Sequence, residues 1–137
     1  MFLEKKGQIS DMDSPWESLQ GLRILLVEDD PLICLDLESS LSDLGAIVAA
    51  ATNVAAALQI LAASALDIAI LDFELGTETS EPIARAAQEL KVPFLYLSGY
   101  SEKDERFHDW PGVGVLVKPI SAAAIAARIR QTIGSMR

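Results

Sequence analysis

Five times from Leu22 onward, a short apolar run is followed by a segment with helical periodicity. No other feature restricts the fold as strongly. Parallel strands need a long crossover between them, and a helix is the usual one, so this pattern specifies a parallel sheet covered by helices on both faces. The expected class is α/β, a flavodoxin-like (βα)5 doubly wound sheet with strand order 2-1-3-4-5.

The elements follow from residue types. Arg23 to Val27 reads as the first strand, and Asp30 caps the next helix, with Pro31 at the first helical position, where a missing N–H costs nothing. Ile33, Leu37, Leu41 and Leu44 mark the inward face of that helix, and Gly45 ends it. The second strand is about Ala46 to Ala51, and Val54, Leu58 and Leu61 recur at helical spacing after it. Asp67 leads into the third strand, Ile68 to Leu71. Ser80 is the expected cap of the third helix, with Pro82 in its first turn and Ile83, Ala87 and Leu90 facing inward. Val92 to Leu97 forms the fourth strand. A short fourth helix is expected from a Ser101 cap, with Asp104 as capping-box partner and Phe107 and Trp110 on one side. Val113 to Val117 is the fifth strand, and Ser121 caps a last helix carrying Ile125, Ile129 and Ile133.

A chain of 137 residues, half of them apolar, suits one domain with a substantial core, expected over residues 22–137. Residues 1–21 form an N-terminal extension, either partly disordered or a short helix begun by Ser14, Pro15, Trp16 and Glu17, which would set Trp16 and Leu19 on the domain or on a partner. The chain ends with the last helix, so no output domain is expected.

Twenty acidic against eleven basic side chains give a net charge of −9, which repels phosphate backbones and anionic membranes. Direct nucleic-acid binding is therefore not expected, and protein partners with basic patches are favoured. The lone Cys34 cannot form an internal disulfide, and without a CxxC or Cys/His cluster it reads as a small apolar filler in a reducing cytoplasm. The charged first twenty residues lack the apolar core of a signal peptide. The uncharged run from Leu44 to Leu66 approaches the roughly 20 residues that span a bilayer. Gly45, Thr52 and Asn53 divide it into a strand, a turn and a helix, so no membrane insertion is expected.

Ligands of open parallel sheets bind beyond the carboxyl ends of the strands, so the residues there carry the chemistry. The first strand ends in Glu28, Asp29 and Asp30, the third in Asp72, the fourth in Ser98 and Gly99, and the fifth in Lys118 and Pro119. Crowded carboxylates raise one another's pKa unless a cation screens them, and Mg2+ suits an oxygen-rich site that also takes phosphate oxygens. A lysine offers a point charge for phosphate, and a carboxylate nucleophile with a metal, a lysine and a hydroxyl suffices for phosphoryl transfer. Asp30 on its own reads as a helix cap, and His108 as a surface residue.

The stretches Ile24-Leu25-Leu26-Val27-Glu28-Asp29-Asp30, Ile70-Leu71-Asp72, Leu97-Ser98-Gly99-Tyr100 and Val117-Lys118-Pro119 resemble the receiver domains of two-component response regulators, from about Leu22 to Arg137. That resemblance implies Asp72 as phosphoacceptor and Mg2+ held by Asp29, Asp72 and the backbone carbonyl of Glu74, with Glu28 acting largely through water. It also implies Ser98 as switch hydroxyl, Lys118 as phosphate-binding lysine, and a cis bond before Pro119. A sensor histidine kinase or phosphotransfer protein would be the donor. A downstream protein would be engaged, and a homodimer formed, through the face of the fourth helix, fifth strand and fifth helix. The domain would signal rather than turn over a substrate, beyond catalysing its own phosphorylation and dephosphorylation. The segment Pro93 to Tyr100 is further similar to the signature of the FATGUY receivers, with Tyr96, Leu97, Ser98 and Gly99 where that group has Phe-Ala-Thr-Gly.

Departures from the family pattern shape the expectation. Val115 stands where most receivers carry a switch aromatic, which leaves Tyr96 or Tyr100 to replace it, and Phe73, Glu74, Leu75 and Gly76 replace the usual Met-Pro-Gly loop. Glu74 and Tyr100 occupy positions that tune phosphoryl lifetime in the family. Two other readings stand beside the switch: a receiver-like interaction module that is never phosphorylated, and an aspartyl-nucleophile phosphatase. The phosphatase normally needs a second aspartate two residues after the nucleophile, where this chain has Glu74.

Overall fold

The computed structural model describes residues 18–136. Its elements run β1 (Arg23–Val27), α1 (Pro31–Asp43), β2 (Ile47–Ala51), α2 (Val54–Ala63), β3 (Ile68–Asp72), β4 (Glu74–Leu75), β5 (Glu78–Thr79), α3 (Glu81–Glu89), β6 (Phe94–Ser98), β7 (Gly114–Val117) and α4 (Ala122–Gly134). Five strands form one parallel sheet in the order β2-β1-β3-β6-β7, with register pairs such as Val27↔Leu71, Asp72↔Leu97 and Ser98↔Val117. This is the 2-1-3-4-5 order of the flavodoxin-like sheet, with the β4–β5 hairpin inserted after the third strand.

Strand side chains alternate between two cores. Leu25, Val27, Ala69, Leu71, Tyr96 and Val115 face α2 and α3, whereas Ile24, Leu26, Ile68, Ile70, Leu95, Leu97 and Leu116 face α1 and α4. β3 is buried along its whole length, as a central parallel strand must be. Removing most of a side chain there, as in Ile70→Ala, costs about 2–5 kcal/mol. Leu19 is fully buried in the α1/α4 core and its N–H donates to Leu44 O at 2.8 Å. The candidate helix start at residues 14–17, with Trp16, lies outside the described residues.

The helix starts obey local chemistry. Asp30 accepts from Leu32 N and Ile33 N, Asn53 from Ala56 N, and Ser121 from Ala124 N. Gly45 ends α1 at φ 98°, and a Cβ there would meet Gln20 Oε1 at 2.5 Å, so only glycine fits. Three expectations need correction. Ser80 stands at the α3 cap position but makes no cap hydrogen bond, because its ψ of 7° is not extended and Thr79 Oγ1 accepts from Glu81 N instead. Ile33 and Leu90 are about half exposed, with Cys34 rather than Ile33 joining Leu37 and Leu41 in the core.

The third correction is the fourth helix. Residues 99–113 contain only a 3-10 turn, Glu105–Phe107. Phe107 and Trp110 sink into an aromatic cluster with Phe73, Phe94 and Tyr96, mostly edge to face at 4.9–5.8 Å between ring centres. A spacing of three suits one tight turn, and Asp104 caps that turn by accepting from Arg106 N rather than partnering Ser101 in a box. The face expected from a fourth helix, fifth strand and fifth helix therefore has a loop and one 3-10 turn as its first member. Among the described residues, no helix is long and apolar enough to cross a membrane.

Candidate phosphoacceptor site at the strand ends

Backbone pairing carries the sheet one residue past the strands and so fixes the site. Glu28 N donates to Ala51 O, Phe73 N to Leu97 O and Lys118 N to Ser98 O, at 3.1, 2.8 and 2.8 Å. These bonds set Glu28, Asp72, Ser98 and Lys118 side by side along the carboxyl edge. Glu28, Asp72 and Ser98 are buried, Asp29 is exposed, and Lys118 lies between. The Lys118–Pro119 bond is cis.

Lys118 Nζ stands 2.8 Å from Asp72 Oδ1 and 3.4 Å from Glu28 Oε2. The contact with Asp72 is ionic, because its angles fall outside hydrogen-bond alignment. Glu28 Oε1 accepts from Asp30 N at 3.1 Å, which holds that carboxylate in place. One oxygen from each of Glu28, Asp29 and Asp72 lies within 4.8 Å of the others.

Burial pushes the Asp72 carboxyl up to about 7; Lys118 works against the rise and Glu28 adds to it. Burial works to lower the Lys118 ammonium, but Asp72 and Glu28 outweigh it and hold the pKa above the usual lysine value. Of the three clustered carboxylates, two thus share the Lys118 ammonium and the third, Asp29, adds charge beside them. A hard dication with oxygen ligands fits that deficit, and Glu28, Asp29 and Asp72 are the donors present.

Glu74 stands apart from this inner group. Its carboxylate extends from β4, with Oε1 3.5 Å from Ser98 Oγ and Oε2 2.9 Å from Arg106 Nη1. Of the two tyrosines, Tyr96 is fully buried and its hydroxyl has no hydrogen-bond partner among the described residues, so burial pushes the phenol up. Tyr100 is exposed, its N–H donates to Ser98 Oγ at 3.1 Å, and Arg106 lies over its ring. Val115 pairs with Tyr96 across β6 and β7, His108 is exposed, and Cys34 is buried beneath α1.

Two features escaped sequence reasoning. Arg106 and Asp104 build an ion-pair rim on Glu74, and no spacing signal announces it because Glu74 and Arg106 are 32 residues apart. A groove of about 600 Å³ also opens beside Glu28 and Lys118, lined by Leu32, Ile33, Leu37 and Ile120.

Residues 24–130 match the family model of the response regulator receiver domain. The chain belongs to the response regulator receiver family. A response regulator receiver protein from Sinorhizobium medicae is 28% identical, with a TM-score of 0.75 over 88% of this chain and 100% of that one. A receiver domain from Francisella, 15% identical, superposes with a TM-score of 0.74 over 85% of this receiver and 100% of its own length. Response regulator TrrA from Thermotoga maritima, in complex with Mg2+-BeF, is 24% identical, with a TM-score of 0.70 over 80% of this receiver and 97% of that chain. No curated protein sequence gives a significant match.

Proposed function

We propose that this receiver accepts a phosphoryl group on Asp72 from a histidine kinase or phosphotransfer protein and changes its partner binding in response. One observation carries the reading: a buried carboxylate at the end of the central strand lies 2.8 Å from an ammonium, within 4.8 Å of two further carboxylates. An Asp72 oxygen attacks the donor's phosphorus, the bond from phosphorus to the donor breaks, and the donor leaves with that bond's electron pair. Lys118 then balances the charge on the transferred group and Ser98 offers it a hydroxyl. Glu28, Asp29, Asp72 and the Glu74 backbone carbonyl are the groups to hold Mg2+, which supplies charge neutralisation when bound. That TrrA forms a complex with Mg2+-BeF supports Mg2+ as the ion.

The groove beside Glu28 and Lys118 gives the donor protein an apolar seat next to the acceptor, since Leu32 is 78% exposed at its edge. With Ser98 and Lys118 engaged by the phosphoryl group, the loop of residues 99–113, β7 and α4 carry the change to a downstream protein. The loop follows Ser98 directly, β7 leads into Lys118, and α4 begins four residues after it.

Intact mass after incubation with a small acyl-phosphate donor tests the reading. A single phosphoryl adduct is expected in wild type with Mg2+, and none in Asp72→Asn or without the metal. A folded wild type that takes up nothing would point instead to a receiver used only as an interaction module.

A further inference from the structure

The inner site leaves one charge cluster without a task. Glu74, two residues past Asp72, adds a fourth carboxylate outside the group of Glu28, Asp29 and Asp72, with Oε1 3.5 Å from Ser98 Oγ. A phosphoryl group brings up to about two more negative charges to the same place. Lys118 is already shared between Asp72 and Glu28. The cation that meets Glu74 is Arg106, from the loop that replaces the fourth helix.

Arg106 is held on three sides. Its Nε lies 2.8 Å from Asp104 Oδ1, its Nη1 2.9 Å from Glu74 Oε2, and its guanidinium carbon 3.4 Å from the centre of the Tyr100 ring. The same Asp104 oxygen accepts from Arg106 N at 3.0 Å. A planar fork satisfies two carboxylates and one ring face at once, which a lysine cannot do. The guanidinium lies on Glu74 Oε2, while Oε1 accepts from Ser98 Oγ at 3.5 Å, a long bond that an incoming group can replace.

We infer that Arg106 is a positioning residue for phosphorylation, which pairs with Glu74 at the mouth and offsets the repulsion that Glu74 presents to an anionic donor. The inference rests on Asp72 as acceptor. The pair is part-exposed, with Arg106 at 32% and Glu74 at 42%, so its effect is modest and screened by salt. A purely structural role, anchoring the loop, makes a different prediction: it depends on Arg106 and not on the charge of Glu74.

The experiment follows adduct formation over time by intact mass, with a small acyl phosphate and Mg2+, at low and high salt. It compares wild type, Arg106→Ala, Arg106→Gln, Arg106→Lys, Glu74→Gln and the Glu74→Gln/Arg106→Ala double variant, each with a thermal melt. Arg106→Ala is expected to load about three- to tenfold more slowly at low salt, with the difference shrinking at high salt. Arg106→Lys, which keeps the charge but not the fork, recovers part of the rate. In the Glu74→Gln background, losing Arg106 changes the rate less than about twofold, the signature of coupled residues. Arg106→Gln keeps a shorter polar, hydrogen-bonding side chain without the charge and decides the matter if the alanine variant loosens the loop. Equal slowing with and without the Glu74 carboxylate, or no slowing at all, overturns the role. Absence of an adduct on wild type overturns the acceptor reading itself, and the Arg106 role with it, which distinguishes the two failures.

Discussion

The inner and outer halves of the site are built by different physics. Glu28, Asp72 and Ser98 are buried at strand ends, where the ladder fixes their backbone and the core fixes their surroundings. Glu74, Arg106, Asp104 and Tyr100 stand on a hairpin and a loop, each partly exposed and held mainly by contacts with one another. Buried charges without full compensation shift pKa and carry large energies, while exposed pairs contribute tenths of a kcal/mol to about one. The inner group suits chemistry that needs fixed positions, and the rim suits adjustment of rate.

The sharpest way to break this contrast is to remove Lys118. Lys118→Ala leaves Glu28 and Asp72 facing each other, and uptake of a phosphoryl group from a small donor is expected to fall at least about tenfold, or ~1.4 kcal/mol in the barrier. Breaking a fully buried pair costs about 3–5 kcal/mol; with Lys118 35% exposed, a loss nearer 1–2 kcal/mol at pH 8 is expected from denaturant melts in metal-free buffer.

Next in size is a pH effect. The Asp72 pKa is raised from 3.8 to about 7, so between those values the folded chain holds a proton that the unfolded chain has released. Stability contributed by this group is therefore full at low pH and lost as pH rises through that window. Without metal, the thermal midpoint of Asp72→Asn is expected to overtake that of wild type as pH rises, by about 4–8 °C or more above pH 7. Added Mg2+ narrows the gap. A gap that stays constant from pH 4 to pH 8 would contradict the electrostatic account of the inner group.

Smaller again is Tyr96→Phe. The hydroxyl is buried without a partner among the described residues, so its removal is expected to be neutral or to stabilise by up to about 1 kcal/mol, measured by chemical denaturation. A loss of more than that would reveal a bond to the hydroxyl and reopen Tyr96 as a switch. The smallest effect belongs to the rim. Asp104→Ala removes one ion pair and the cap of a 3-10 turn, and a small drop in the thermal midpoint, the least of this series, is expected from melts.

The contrast between the halves also explains what could be read from the amino acids. The sheet order and the inner residues were legible because each follows an apolar run, and a parallel sheet collects strand ends at one edge. Helix caps such as Asp30 and Ser121 were legible because capping is local. The fourth helix was misread because Ser101 and Asp104 imitate a capping box, while Phe107 and Trp110 answer to the aromatic core instead of to helical periodicity. The β4–β5 hairpin was not foreseen; its signal was Gly76, whose φ of 67° lets a two-residue connection close. The Glu74–Arg106 pair left no local trace, since its partners, 32 residues apart, meet only through the tertiary fold.

The central claim is that Asp72 is the acceptor, and hydride trapping tests it most directly. Borohydride reduces an aspartyl phosphate to homoserine, so wild type incubated with a small acyl phosphate and Mg2+, then reduced, is digested and mapped by mass. Homoserine at position 72 alone is the predicted result. Homoserine at another carboxylate, or an adduct that survives reduction unchanged, would contradict the account.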